Sequence, residues 1–319
     1  MLGYIVRRSL AAIPVLVLVA VAVFSLLQLS PGDPAVLIGG DTATPAQIEA
    51  IRHDLHLDQP ILARAWAWSA SLLSGDLGRS LFSGVPVTTL IAQRAEPTLA
   101  LTLATIVLAI GIGVPVGIVA SLRVGSILDR IVMLLSVLGF SVPVFIVGYC
   151  LVLVLSTHLH LLPAQGYKPI AGGILPNLAT LIMPALALSG VYMAQIARVT
   201  RAAMLEVMSE DFIRTARAKG IRRLKIILVH ALPNAGIPIM TVIGFGVGAL
   251  LGGVVVTETV FNIPGLGSLA ADSILRRDYP VIQALTLLFA AIYVLVNLAV
   301  DLSYGFFDPR VRSWQGGAR

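Results

Sequence analysis

Six basic side chains, Arg214, Arg217, Lys219, Arg222, Arg223 and Lys225, fall within the stretch SEDFIRTARAKGIRRLK, residues 209–225, in a chain of which 12% of residues are charged. Cationic groups at that density bind anions, whether lipid phosphates, the carboxylates of an acidic partner or nucleic-acid phosphates. Nucleic acid is disfavoured, because no folded basic domain accompanies the cluster. The other residue types that do chemistry are poorly arranged for it. None of the three lysines, Lys168, Lys219 and Lys225, follows a glycine, so the chain lacks the Gly-Lys-Ser/Thr in which backbone amides and a lysine cradle phosphates. His53 and His56 stand three apart and His158 and His160 two apart, with no cysteine or HExxH arrangement to complete a zinc site. There is no Gly-x-Ser-x-Gly elbow, and the lone Cys150 reads as a small apolar packing residue. A chain with no catalytic centre, no metal and no cofactor of its own is expected, one built to meet something acidic.

The elements that must position this cluster are membrane helices. Hydrophobic residues make up 57% of the 319, and the mean hydropathy is +0.94, whereas soluble chains carry about 25% charged residues. Six apolar runs, residues 9–29, 98–121, 131–155, 176–196, 233–256 and 281–303, each approach or exceed the roughly 20 residues that a helix needs to cross a bilayer. The first run follows Arg7 and Arg8 and ends without an Ala-x-Ala, so it reads as a retained helix and not a signal peptide. The 22 Lys and Arg residues divide 15 to 7 between alternate sides, with Arg7, Arg8, the 198–225 segment, Arg310, Arg312 and Arg319 on the richer side. That side is cytoplasmic by the positive-inside rule. Both termini and the basic stretch are therefore expected in the cytoplasm, beside anionic lipid.

Three regions follow: residues 1–30 with the first span, an extracytoplasmic segment 31–97, and a five-helix core 98–319 that contains the cytoplasmic loop 198–232. The external segment has its own helical signals. Thr44, Pro45 and Gln47 form a capping box with proline at the first helical position, and Ile48, Ile51 and Leu55 follow at helical spacing. A second short helix is expected after Asp58, with Pro60 in its first turn and Trp66 and Trp68 as interfacial tryptophans. The segment reads as a small helical cap.

Between the ends of the six runs Asp301 is the one Asp, Glu, Lys, Arg or His. An ion-coupled carrier is expected to hold such groups at mid-membrane, so a proton relay is disfavoured. Glycine is the informative residue instead. Gly244, Gly248 and Gly252 recur every four residues on one helical face, and Gly113 and Gly117 do the same in the second run. Small residues let backbones approach closely in lipid, either within this chain or against a second subunit.

In the basic stretch Ser209 is placed to N-cap a helix, Glu210 and Asp211 fall in its first turn, Lys219 in its last, and Gly220 suits a left-handed C-cap. A second helix is expected from Ile221 toward Leu232, stopped by Pro233. A cytoplasmic helix, a glycine, and Leu232-Pro233 before the penultimate span resemble the "EAA" coupling loop of binding-protein-dependent ABC importer permeases. Arg214 and Thr215 depart from the general Glu-Ala, Ala216 fits, and DFIRTARAKG is similar to the variant of the peptide/opine/nickel branch. LSPGDPA after the first span, SGDLGRSL at 74–81, TETVFNIPGLGSL at 257–269, RRDYPVIQA at 276–284 and FDPRVR at 307–312 look like marks of the first permease subunit of dipeptide and oligopeptide importers.

That resemblance implies an all-α integral membrane protein of the type I ABC importer permease fold, with six transmembrane helices, in a bacterial inner membrane. It implies a second homologous permease, two cytoplasmic ATPases that hold the ATP and magnesium, and an extracytoplasmic binding protein. Phe212, Ile213, Arg214, Thr215, Ala216, Arg217, Lys219, Gly220 and Arg222 would seat in an ATPase groove. Gly244, Gly248 and Gly252 would pack helices or meet the other permease. The substrate class implied is di- or oligopeptides, with nickel, opines, glutathione or haem carried by other members; an ATP-independent carrier or channel is the alternative of a different class.

Overall fold

The structure, a computed structural model, describes residues 2–29, 35–36, 43–54 and 58–307. Leu55, His56, Arg310, Arg312, Arg319 and most of the LSPGDPA and FDPRVR stretches lie outside the described residues. The architecture is helical, in the order α1 (Leu2–Leu29), α2 (Pro45–Asp54), α3 (Ile61–Leu73), α4 (Val87–Leu122), α5 (Ile127–Ser141), α6 (Val144–Leu151, prolonged by a π-helical segment Val152–His158), α7 (Ile174–Met208), α8 (Asp211–Ala218), α9 (Gly236–Val260), α10 (Leu266–Arg276) and α11 (Tyr279–Phe307). Between α8 and α9 the chain stays helical in three short pieces, Arg223–Lys225, a π-helical Ile226–Ala231 and Leu232–Asn234.

Among the described residues three helices are long and apolar enough to cross a membrane alone: α4, α7 and the Tyr279–Ser303 part of α11. Two bent pairs bring the number to five if each is one span: Ile127–Gly139 with Val144–His158 at 106°, and Arg223–Asn234 with Gly236–Leu250 at 63°. α1 adds a shorter apolar stretch, Leu10–Ser25. The continuous third run expected from hydropathy is thus broken. The cause is local: Pro143 disfavours helical geometry in the residue before it, and Val142 is extended (φ −95°, ψ 120°).

The chain divides into two compact units. The larger comprises residues 1–9, 96–268 and 292–319. Its central element is α7, half of whose most apolar stretch is buried. Gly113 and Gly117 of α4 let that helix lie directly on α7: a Cβ on Gly117 would sit 2.5 Å from the Ala197 carbonyl oxygen, and one on Gly113 3.0 Å from that of Met193. Gly253 of α9 receives Leu188 in the same way, at 2.8 Å. One apolar cluster joins Leu101, Leu181, Met183, Leu188, Leu250, Val254, Phe261 and Ile263; a second gathers around Met204, Ile213 and Ile226. Large apolar side chains also cover the outside, as with Leu99, Leu103 and Val107 along α4, in keeping with a chain whose surroundings are as apolar as its interior. Cys150 is among the exposed residues and does not have the interior packing place expected for it.

The smaller unit comprises residues 10–95 and 269–291. The capping box forms: the Thr44 N–H donates to Gln47 Oε1 (2.8 Å) and the Gln47 N–H to Thr44 Oγ1 (3.4 Å). Pro60 caps α3 and precedes its first turn. The SGDLGRSL stretch folds as a tight loop, with an antiparallel bridge between Arg79 and Pro86 and Asp76 Oδ1 accepting from the Gly78 N–H (2.9 Å). Asp278 of the RRDYP stretch fastens that loop, accepting from Ser80 Oγ and from the Leu81 N–H (3.1 Å).

Candidate functional site

Helix α8 is strongly two-sided. Ile213 and Ala216, three apart, are buried against Ala203 and Met204 of α7, Ile226, Ile227 and Ala231 of the π-helical segment, and Ile239 of α9, while Val114, Ile118 and Leu122 of α4 pack on the same cluster. Arg214, Thr215, Arg217, Lys219, Gly220 and Arg222 are exposed, and Phe212 is 42% exposed. Adjacent residues on a helix point about 100° apart, so Phe212 faces outward where Ile213 faces inward. Ile213 is therefore an anchor within its own chain and is not presented for insertion into a partner. Arg214 pairs with Asp211 one turn back at 3.2 Å, with both side chains largely in solvent, where such a pair adds little stability.

The end of α8 is fixed by Gly220, whose φ of +72° a side chain rarely adopts. The Gly220 N–H donates to the Arg217 carbonyl and the Ile221 N–H to that of Ala216, satisfying carbonyls that a helix end leaves open. The start differs from the sequence reading. Ser209 does not N-cap α8; its hydroxyl donates to the Glu206 carbonyl (2.7 Å) and closes the end of α7, and Glu210 holds the N-cap position without a side-chain bond. Nor does Pro233 end the following helix. It sits inside the helical run, in Leu232–Asn234, and the chain bends beyond it, at Ala235. An open groove of about 450 Å³ runs beside the loop, lined by Met208, Arg217, Ile221, Arg223 and Ile226.

Two polar fastenings that the sequence did not reveal tie the helices of the larger unit together. Asp129, capped into the first turn of α5 by Ser126, accepts from Arg201 of α7 through two nitrogens (Nη2 to Oδ2, 2.8 Å) and from the Gly125 N–H (2.9 Å). The pair is largely buried, with side-chain exposures of 6% and 20%. At the far ends of α4 and α9, Glu258 is completely buried. Its carboxylate accepts from Thr98 Oγ1 (2.6 Å) and the Ser268 N–H (2.8 Å), while Thr98 Oγ1 accepts from the Leu266 N–H (2.7 Å). The acceptor thus faces the N-terminus of α10, where negative charge is favoured. Nearby, burial pushes the Tyr167 hydroxyl up to about 12, with Glu96 adding to the shift, so it stays protonated and donates to Glu96 Oε1 (3.0 Å).

The glycines of α9 separate into two roles. Gly244 lies against Val300 and Gly248 against Tyr293, both of α11, so these two make room for a helix of the same chain. A Cβ on Gly252 would meet nothing within 4 Å. The structure brings Gly244 and Gly248 together with α11 and leaves Gly252 facing outward.

Residues 113–313 match the family described as binding-protein-dependent transport system inner membrane component, and residues 1–102 match the N-terminal component of the same systems. The chain belongs to that family of inner membrane components. It is a multi-pass inner membrane protein. Among relatives, it is 47% identical to the probable peptide ABC transporter permease protein y4tP of Sinorhizobium fredii over 97% of this chain and 99% of that one. It is 44% and 43% identical to the glutathione transport system permease proteins GsiC of Pectobacterium atrosepticum and Escherichia coli K12, over 98% of this chain and 99% of each of those. The MetNI methionine ABC transporter in an inward-facing conformation is similar in fold, with a TM-score of 0.58 at 21% identity over 69% of this chain and 97% of the matched chain.

Proposed function

We propose that this chain is the pore-forming subunit of an ATP-driven importer of di- or oligopeptides. It works beside a second, homologous permease, two cytoplasmic ATPases and an extracytoplasmic binding protein. Six helices cross the membrane, counting α1 and each bent pair as one, with both termini in the cytoplasm. The chain needs no cofactor of its own; ATP and magnesium belong to the ATPases. The observation that carries the reading is the two-sidedness of α8: its exposed side offers Phe212, Arg214 and Thr215 to a partner, while Ile213 and Ala216 are set in a cluster shared with α4, α7 and α9. A push on α8 is therefore passed to three long helices at once. When the ATPase pair closes on ATP, the seated loops approach, and the pore turns from inward- to outward-facing to take substrate from the binding protein. Hydrolysis resets it.

The peptide assignment follows the likeness to the y4tP permease. Glutathione, itself a modified tripeptide, is the second reading, favoured by the likeness to the GsiC permeases at 43–44% identity. Purification of the tagged chain from its native membrane, with mass spectrometry of what accompanies it and an ATPase assay, tests the assembly. A second permease with ATPase chains and ATP turnover is expected; a homogeneous oligomer without ATPase activity would overturn the reading and restore the carrier or channel.

A further inference from the structure

Helix α3 contains no buried residue, and three of its large apolar side chains are almost fully exposed. At about 100° per residue, Leu62, Trp66 and Leu73 fall within one wedge of roughly 40°, and they are 84%, 79% and 89% exposed. Arg64, Ala65, Trp68 and Leu72 lie on the other side and are half-buried. Scattered exposed apolar residues are ordinary, but large ones gathered in a single wedge mark a surface that something covers.

The depth of the helix says what covers it. The Trp68 ring contacts that of Phe24, with centroids 5.6 Å apart, and Phe24 lies five residues, or about 7.5 Å of helix, before the end of the apolar run 9–29. The contact therefore holds α3 beside the last turns of that apolar run. An indole is amphipathic and settles at the membrane–water boundary, and a helix with one apolar side buries it about 5–10 Å into the headgroup and acyl region. We propose that α3 lies in the outer leaflet of the bilayer, with Leu62, Trp66 and Leu73 among the upper acyl chains, as a lipid-facing buttress of α1. The two tryptophans then have different partners, protein for Trp68 and lipid for Trp66. The proposal rests on α1 crossing the membrane, and on neither the substrate nor the coupling to ATP.

The chain has three tryptophans, Trp66, Trp68 and Trp314, so Trp68→Phe with Trp314→Phe leaves Trp66 as the sole emitter and keeps an aromatic ring against Phe24. This full chain is reconstituted into phosphatidylcholine bilayers brominated either near the headgroup end of the acyl chain or near its terminal methyl. Blue-shifted emission that loses most of its intensity to the shallow bromines, little to the deep ones and little to aqueous iodide is expected. Quenching by iodide alone would make α3 a water-facing lid, and quenching by neither would mean that protein covers it; either result overturns the proposal. Resistance of the same sample to carbonate extraction reports separately whether α1 is inserted. In the otherwise unaltered chain Trp66→Phe should abolish the component quenched by shallow bromines, and its persistence would equally defeat the assignment.

Discussion

Glu258 is a carboxylate with no exposure, and it persists because each of its oxygens has a donor: the Thr98 hydroxyl on one and the Ser268 N–H on the other. No apolar residue can replace it, since a buried donor left without an acceptor costs about 1–3 kcal/mol. The space is filled as well, for a Cβ on Gly265 would overlap the carboxylate itself. The near-isosteric Glu258→Gln keeps the volume but turns one acceptor into a donor, so either Thr98 or Ser268 loses its partner. A loss of about 1–3 kcal/mol, read as a lower melting temperature of the detergent-solubilised protein, is expected. An unchanged melting temperature would show the carboxylate to be dispensable. Thr98 and Glu258 are 160 residues apart, and nothing local in either stretch announces their meeting; Asp129 and Arg201 escaped notice for the same reason.

At the scale of elements, what was legible was what the chain decides within a few residues. The capping box at Thr44 and the left-handed Gly220 are set by neighbours three or four positions away, and both stand in the structure as read. Features that depend on which of two local solutions wins were misjudged. A serine between two helices can cap the start of one or close the end of the other, and Ser209 does the latter. Hydropathy alone marks the third run as continuous and is blind to the backbone restriction that Pro143 places on Val142. The pair Phe212 and Ile213 looked alike by type, and only the packing of α7 and the π-helical segment decides which one turns inward. Gly220→Pro probes this level, because proline fixes φ near −65° where the loop has +72°. The variant is expected to reach the membrane and retain its partners, while substrate uptake per ATP hydrolysed in proteoliposomes falls severalfold. Normal uptake by that variant would remove the loop from the coupling path.

At the scale of the molecule, neither compact unit is continuous in sequence. The smaller draws on residues 10–95 and 269–291, and the bonds from Ser80 and Leu81 to Asp278 are what fasten the loop after α3 to the later piece. Asp278→Ala leaves the Ser80 hydroxyl and the Leu81 N–H without their carboxylate, at about 1–3 kcal/mol for each donor so stranded. On the proposed topology, faster cleavage of the 75–85 loop by a protease added from the external side, with the 209–225 stretch unaffected in inverted vesicles, is the expected result; equal cleavage rates would mean that the loop holds its shape alone.

The same bond also has a meaning in time. Ser80 and Asp278 are separated by 198 residues, and ribosomes add about 5–20 residues per second. The loop must therefore wait on the order of 10–40 s after its own translation for its acceptor to be made. During that interval the nascent chain carries the loop unfastened, and a ribosome that stalls before codon 278 leaves a product in which Ser80 and Leu81 never meet their acceptor.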